Sequence, residues 1–275
     1  MTAAINTKPK TETRNLHSFM KRKIFFRWLK IIIILYSAIG IALYYLQEKF
    51  LFHPEKLSKA YVYDFPQDFA NKFPFEEINI PFNETDTINL VKFFPDDSVR
   101  RGVVVYFHGN RQNIERYAKF AGNFTKQGYE VWMEDYPGFG KSTGERTEKK
   151  MYQQALQIRK MAAARYGKDS IIIYGKSFGT GIASYVAAES ENQRLILETP
   201  YYSIPSLFSC YAPVYPTESM STFQIPVYKF LKDVYYPITI FHGTRDGVIP
   251  YRNAARLKTV LKSGDEFITI EKGTH

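Results

Sequence analysis

Residues 170–188 read SIIIYGKSFGTGIASYVAA: an apolar run, a Gly-x-Ser-x-Gly pentad at 175–179, then a stretch of small residues. A run apolar at every position suits a strand buried on both faces. The small residues after it suit a helix packed close to that strand. Strand, tight turn and helix are the setting that a nucleophile elbow requires. Gly175 and Gly179 leave the strand and helix room to approach, and Ser177 is expected in a strained conformation at the exposed sheet edge. A glycine-rich turn without chemistry fits the five letters taken alone. The flanking elements favour the nucleophile.

A serine hydroxyl needs a base to take its proton. Five histidines are available: His17, His53, His108, His242 and His275. His17 falls in the N-terminal tail and His53 just past an apolar segment. His108 and His242 end strand-like runs, where their backbones are committed to turns. His275, after the last strand-like run, is the expected base. An acid must orient that imidazole, and Asp246 in FHGTRDGVIP (241–250) lies in a loop at the same sheet edge. A plain turn aspartate before Gly247 is the competing reading. The order Ser177, Asp246, His275 is that of α/β-hydrolases rather than of the two common protease arrangements. The oxyanion needs two backbone N–H donors. Phe178, after the nucleophile, supplies one; Asn110, in the HGN that follows the run VVVYF (103–107), supplies the other. His108 is read as shaping that loop.

Working outward, strand-like runs cover Phe75–Pro81, Ile88–Phe94, Val103–Phe107, Glu130–Glu134, Ser170–Tyr174, Leu195–Glu198, Ile238–Phe241 and Glu266–Ile270. Helical patterns cover Ile114–Gln127, Glu148–Tyr166, Gly179–Ala188 and Tyr251–Ser263. Such alternation predicts an α/β fold, a mostly parallel sheet with helices on both faces. The first two strands have no helix between them and are expected as an antiparallel edge.

The N-terminal part is different. Residues 28–46 read WLKIIIILYSAIGIALYYL, close to the roughly 20 residues that cross a bilayer core. Lys30 can snorkel, and Trp28, Tyr44 and Tyr45 sit where interfacial aromatics are expected. The expected division is a basic cytoplasmic tail 1–27, an uncleaved signal-anchor helix 28–47, a connector 48–74 and a catalytic domain 75–275. Of a formal net charge of +10 on 275 residues, +7 sits in the first 30, which hold eight basic side chains and one acid, Glu12. The nearly neutral remainder argues against a nucleic-acid partner. Lys21, Arg22, Lys23, Arg27 and Lys30 before the span orient the N-terminus to the cytoplasm and the domain to the other side, the periplasm in a bacterium. A single cysteine, Cys210, excludes an intramolecular disulfide and a cysteine zinc site. No metal or cofactor is expected, and the oligomeric state is left open.

The chain resembles the α/β-hydrolase superfamily, above all its small membrane-anchored serine hydrolases. The resemblance rests on LQEKFLFHP (46–54), YFHGN (106–110), DYPGFGKSTG (135–144), YGKSFGTG (174–181), ETPYYS (198–203), FHGTRDGVIP (241–250) and GTH (273–275). It implies an eight-stranded sheet, a Ser177–Asp246–His275 triad and acyl transfer through an acyl-enzyme. It also gives Asp135 a structural, loop-shaping role. Family members continue past the histidine with a helix that packs on the sheet, so a last helix is expected beyond residue 275. The expected substrate is a small acyl ester, thioester or lipid-like molecule at a membrane. A serine peptidase, or a non-catalytic scaffold on the same fold, are the alternatives. Residues 200–236 suggest a modest cap, with Tyr201, Tyr202, Phe208, Tyr211 and Phe223 either lining an acyl groove or simply covering the sheet edge, the default for such side chains.

Overall fold

The computed structural model of the chain describes residues 10–65, 74–95 and 100–275, with side chains from Met20 onward. The side chains of Lys8, Lys10, Glu12, Arg14 and His17, and residues 66–73 of the expected connector, lie outside the described part. The chain divides into two units, 1–47 and 48–275. In the first, one helix, α1 (Lys10–Leu51), runs through the described part of the expected tail and through the expected helix 28–47; its last turn belongs to the second unit. The early start follows from composition: between Lys10 and Gly40 there is neither glycine nor proline to stop a helix. Its stretch Met20–Leu51 contains an 18-residue window of mean hydropathy 2.0, none of it buried, and is long and apolar enough to cross a membrane.

The second unit is built on eight strands: β1 (Phe75–Pro81), β2 (Thr87–Phe93), β3 (Gly102–Phe107), β4 (Tyr129–Glu134), β5 (Ile171–Lys176), β6 (Arg194–Glu198), β7 (Ile238–Gly243) and β8 (Glu266–Ile270). Their order across the sheet is β1-β2-β4-β3-β5-β6-β7-β8. The β1–β2 and β2–β4 pairs are antiparallel and the rest parallel. This is the mostly parallel sheet with an antiparallel edge that the residue pattern predicts. Alternation along β3 shows why a fully apolar run was needed. Val103, Val105 and Phe107 pack with Ile158, Ile182 and Val186 on one face, while Val104 and Tyr106 pack with Ile114, Tyr117 and Ala118 on the other. Each such side chain stabilises by about 1.5–3 kcal/mol when buried, so β3 ties both helical layers together.

The helices of this unit are α2 (Ile114–Ala118), α3 (Gly122–Thr125), α4 (Glu148–Arg165), α5 (Gly179–Ala188), α6 (Ile204–Ser209), α7 (Thr217–Met220), α8 (Val227–Phe230) and α9 (Tyr251–Ala254). α4 starts where Thr147 accepts a hydrogen bond from the Lys150 N–H at 3.2 Å. Two expected helices are altered. The one over 114–127 is split, because Phe120 and Ala121 donate to carbonyls only three residues back and bring Ala118 and Ala121 onto one buried face. The one over 251–263 is α-helical for four residues and then tightens into a 3-10 turn, Ala255–Val260.

The described part of the expected connector packs on the sheet unit. His53–Pro54 pairs in parallel with Arg111–Gln112, Lys56 bridges to Gly140, and Tyr63 and Phe65 are buried. The compact unit that holds the sheet therefore includes the chain from residue 48.

Around β3 the sheet reverses its winding: β4 lies on one side and β5 on the other. The loops leaving the carboxyl ends of β3 and β5 diverge there, and such a crevice is where α/β sheets bind ligands. α5 reaches it by pressing directly on β3. A Cβ on Gly179 would lie 2.1 Å from the carbonyl oxygen of Phe107, whereas one on Gly167 would meet nothing within 4 Å. Gly179→Ala is therefore expected to cost about 1–3 kcal/mol or more, and Gly167→Ala to change stability by less than about 0.5 kcal/mol. Thermal unfolding of the two variants in detergent checks both.

Candidate active site

Ser177 stands between β5 and α5 with φ at +52°, a left-handed conformation that non-glycine residues rarely adopt. Its N–H donates to the Glu198 carbonyl at 2.8 Å, and its own carbonyl accepts from the Thr180 N–H at 3.0 Å. These bonds hold the strained turn. The glycine on the strand side is as crowded as Gly179: a Cβ on Gly175 would lie 2.6 Å from Thr180 Cα and 2.7 Å from Ala183 Cβ. The elbow is thus a steric consequence of packing a helix onto the strand that feeds it.

The structure brings the three expected side chains together. His275 Nε2 is 2.9 Å from Ser177 Oγ, and His275 Nδ1 is 2.8 Å from Asp246 Oδ2. An ionised carboxylate can only accept, so Nδ1–H donates to Asp246 and Nε2 of the neutral ring accepts the serine proton. Backbone contacts deliver the imidazole. Thr244 N–H donates to the Ile270 carbonyl at 3.0 Å, Arg245 N–H to Gly273 at 2.9 Å, and Lys272 N–H to Thr244 Oγ1 at 2.8 Å. Gly243 and Gly273 touch so closely that a Cβ on the first would lie 2.3 Å from the carbonyl oxygen of the second.

Asp246 is more than a turn residue. Its Oδ1 accepts from the N–H groups of Val248 and Ile249, each at 2.8 Å, which frees Oδ2 for the histidine. Burial alone would raise this carboxyl. The hydrogen bonds from His275, Ile249 and Val248 outweigh burial and hold it below the usual carboxylate range. His242 supports the same loop: its Nε2 donates to the Ile249 carbonyl at 2.9 Å. Burial lowers the affinity of this imidazole for a second proton, so it stays neutral beside the acid.

The two expected oxyanion donors lie at the ends of paired strands, since Phe107 of β3 faces Gly175 of β5. Among the described residues neither the Asn110 nor the Phe178 N–H has a backbone acceptor. The Asn110 carbonyl accepts from His53 N–H at 2.9 Å and its side chain donates to the Leu51 carbonyl at 2.5 Å. Asp135 and His108 shape the loop from below. Asp135 Oδ1 accepts from Ile114 N–H at 3.0 Å and lies 3.2 Å from His108 Nε2. The His108 ring is fully buried against Tyr117 and Tyr136. Sequence reasoning quoted the motif at 46–54 without giving it a role, and it overlooked Glu134. That carboxyl is buried at the end of β4 with both oxygens unpartnered among the described residues, and burial first, then Asp135, pushes it well above the usual carboxylate range.

The aromatic residues of 200–236 divide. Tyr201 and Phe223 are core: the Tyr201 hydroxyl donates to the Phe178 carbonyl at 3.2 Å, and Phe223 packs on Phe52. Tyr202 stacks on Tyr228, and Phe208 is partly buried. Tyr211 is exposed and donates to the Val248 carbonyl at 2.7 Å, tying the cap to the loop that carries the acid.

A sheet with this strand order, a serine on a sharp turn after its fifth strand and a histidine after its eighth make up the α/β-hydrolase fold. Residues 98–225 match the family described as serine aminopeptidase, S33. Lysophosphatidylserine lipase ABHD12 of Xenopus tropicalis is 28% identical over 178 residues, covering 58% of this chain and 46% of that protein. Alpha/beta hydrolase domain-containing protein 17B of Homo sapiens is 28% identical over 175 residues, covering 62% and 59%. The chain spans about half the length of the curated relatives it matches. Among solved structures, the Pyrococcus furiosus esterase Pf2001 superposes with a TM-score of 0.61 at 19% identity, over 82% of this chain and 90% of its own.

The depressed Asp246 carboxyl carries a sign that can be measured. A carboxyl lowered by folding contributes stability that is present above its unfolded value, about 3.9 for aspartate, and is lost as pH falls through the folded value. The stability advantage of the wild type over Asp246→Asn should therefore be full near neutral pH and shrink progressively below about pH 4. Paired thermal melts across pH check this; an advantage that grows on acidification overturns it.

Proposed function

We propose that the chain is a membrane-anchored serine hydrolase of carboxylic ester or thioester bonds. The observation that carries this reading is the hydrogen-bonded series Ser177–His275–Asp246. Ser177 Oγ attacks the acyl carbon while His275 Nε2 takes its proton. Asp246, kept ionised by its two N–H donors, stabilises the imidazolium that forms. The negative charge passes to the carbonyl oxygen, which the Phe178 and Asn110 N–H groups receive. The Phe178 donor sits at the start of α5, whose positive end favours an anion. Collapse of the tetrahedral species breaks the bond to the leaving oxygen or sulfur, which takes the proton from His275 Nε2 and departs as an alcohol or thiol. Water then attacks the acyl-enzyme with His275 again as base, releasing the acid and free Ser177.

Two relatives support an ester as the bond cleaved in a lipid-like molecule: the frog and rat proteins at 28% and 26% identity carry the name lysophosphatidylserine lipase. The apolar stretch Met20–Leu51 supports anchoring. The basic run Lys21–Lys30 before it supports a cytoplasmic N-terminus with the hydrolase unit on the far side. The description serine aminopeptidase favours a second reading, a peptidase, because the same three groups can cleave an amide.

A fluorophosphonate probe should label the wild type and spare Ser177→Ala. Turnover of p-nitrophenyl acyl esters should fall by about 10⁴-fold or more in Ser177→Ala. Amide turnover matching that of esters with the same acyl group would favour the peptidase. An unlabelled, inactive wild type would leave a scaffold and overturn the proposal.

A further inference from the structure

The last residue of α1 and the two after it touch both expected oxyanion donors. The Leu51 carbonyl accepts from the Asn110 side chain at 2.5 Å, and the His53 N–H donates to the Asn110 carbonyl at 2.9 Å. Phe52 lies between these two bonds in the chain. Its ring meets the Phe178 ring edge-on at 4.9 Å, with Phe223 at 5.0 Å and Phe139 at 6.3 Å behind it. The Arg146 guanidinium lies 4.6 Å above it. Leu51 and Phe52 are both buried in the main core. Beyond them the strand continues along the same loops: Glu55 N–H donates to the Gln112 carbonyl at 3.1 Å, the Glu55 carbonyl accepts from Gly140 N–H at 2.9 Å, and Leu57 N–H donates to the Gly140 carbonyl at 2.8 Å.

We propose that residues 51–53 are the positioning element of the oxyanion site, holding Asn110 through the backbone and Phe178 through the Phe52 ring. This rests on the serine-hydrolase reading above. The argument is geometric. The donors come from two loops that diverge from the sheet, so nothing in β3 or β5 alone fixes their separation. Leu51, Phe52 and His53 are consecutive, so bonds to Asn110 on either side of Phe52 set the direction of its ring, and the ring sets the side chain of Phe178. Oxyanion stabilisation depends on donors held ready where charge develops, and losing one donor costs about 10²–10³ in kcat. A donor kept but loosened should cost less, and its effect should fall on the transition state more than on substrate binding.

The test uses the full chain in detergent micelles and a p-nitrophenyl acyl ester. Phe52→Ala removes the ring. Asn110→Ala keeps the N–H and removes only the side-chain bond to Leu51, which keeps the proposal testable should Phe52→Ala fail to fold. Phe93→Ala, equally buried but facing Val131 at the opposite end of the sheet, reports general destabilisation. The expected result is a kcat lower by about 10- to 100-fold in Phe52→Ala and Asn110→Ala, with KM within threefold, fluorophosphonate labelling slowed in step, and most of the rate regained in Phe52→Leu. Phe93→Ala should lower Tm at least as much while keeping kcat within threefold. If Phe52→Ala and Asn110→Ala lose activity only in proportion to Tm, as Phe93→Ala does, or change KM alone, the positioning role is overturned and the serine-hydrolase reading stands. If wild-type turnover survives Ser177→Ala, that reading falls and takes this one with it.

Discussion

The closeness of α5 to β3 is the constraint on which the rest of the molecule turns. A helix can lie against the carbonyls of Phe107 and His108 only where it has no side chain, and Gly179 is that place. Once the helix is there, the residue two positions earlier must reverse the chain within one step, so Ser177 is driven to positive φ. Such strain persists only where the surroundings over-determine it. Here they do, through the Glu198 carbonyl on one side and the Thr180 N–H on the other. The same approach brings the end of β3, with its HGN turn, alongside the helix start. Packing thus brings the Ser177 hydroxyl and the two loops that carry the Asn110 and Phe178 N–H groups to one rim of the sheet.

Charge enters this rim in one place. Asp246 is buried, and a buried carboxylate with fewer partners would take up a proton. Three donors keep it ionised: two amides of its own turn and the imidazole it orients. The neighbouring buried groups behave oppositely. Burial raises the Glu134 carboxyl, with Asp135 adding to it, and lowers the His242 imidazole despite its bond to Ile249. Asp246 is therefore held ionised beside groups that burial pushes the other way, and its Oδ2 faces the His275 ring.

Much of this was legible in the residues. The sheet could be read because its buried strands are short apolar runs between glycine, proline and polar turns, and the elbow because its three parts are contiguous. Asp246 and His275 could be chosen because each follows a strand at the same edge. What escaped were contacts made at long range. The segment around Phe52 has no period to mark it as strand or helix, and its partners lie near 110, 140 and 178, far along the chain. The break after Ala118 escaped because a helical pattern does not reveal where hydrogen bonds shorten to three residues. Tyr201 and Phe223 could by type line a groove or, by default, cover the sheet edge, and the packing puts them in the core.

The meeting of Gly243 with Gly273 has a consequence for the base. Two backbones in contact with no side chain between them fix β8 against β7 like teeth in a rack. A slip of one residue would carry the imidazole about 3.3 Å along the sheet and swing neighbouring side chains to the opposite face. Both of its hydrogen bonds would then be lost together. The histidine is thus a gauge of strand alignment at the sheet's far edge, and on the reading proposed above Ser177 has its base within reach only when the last strand sits in its proper notch.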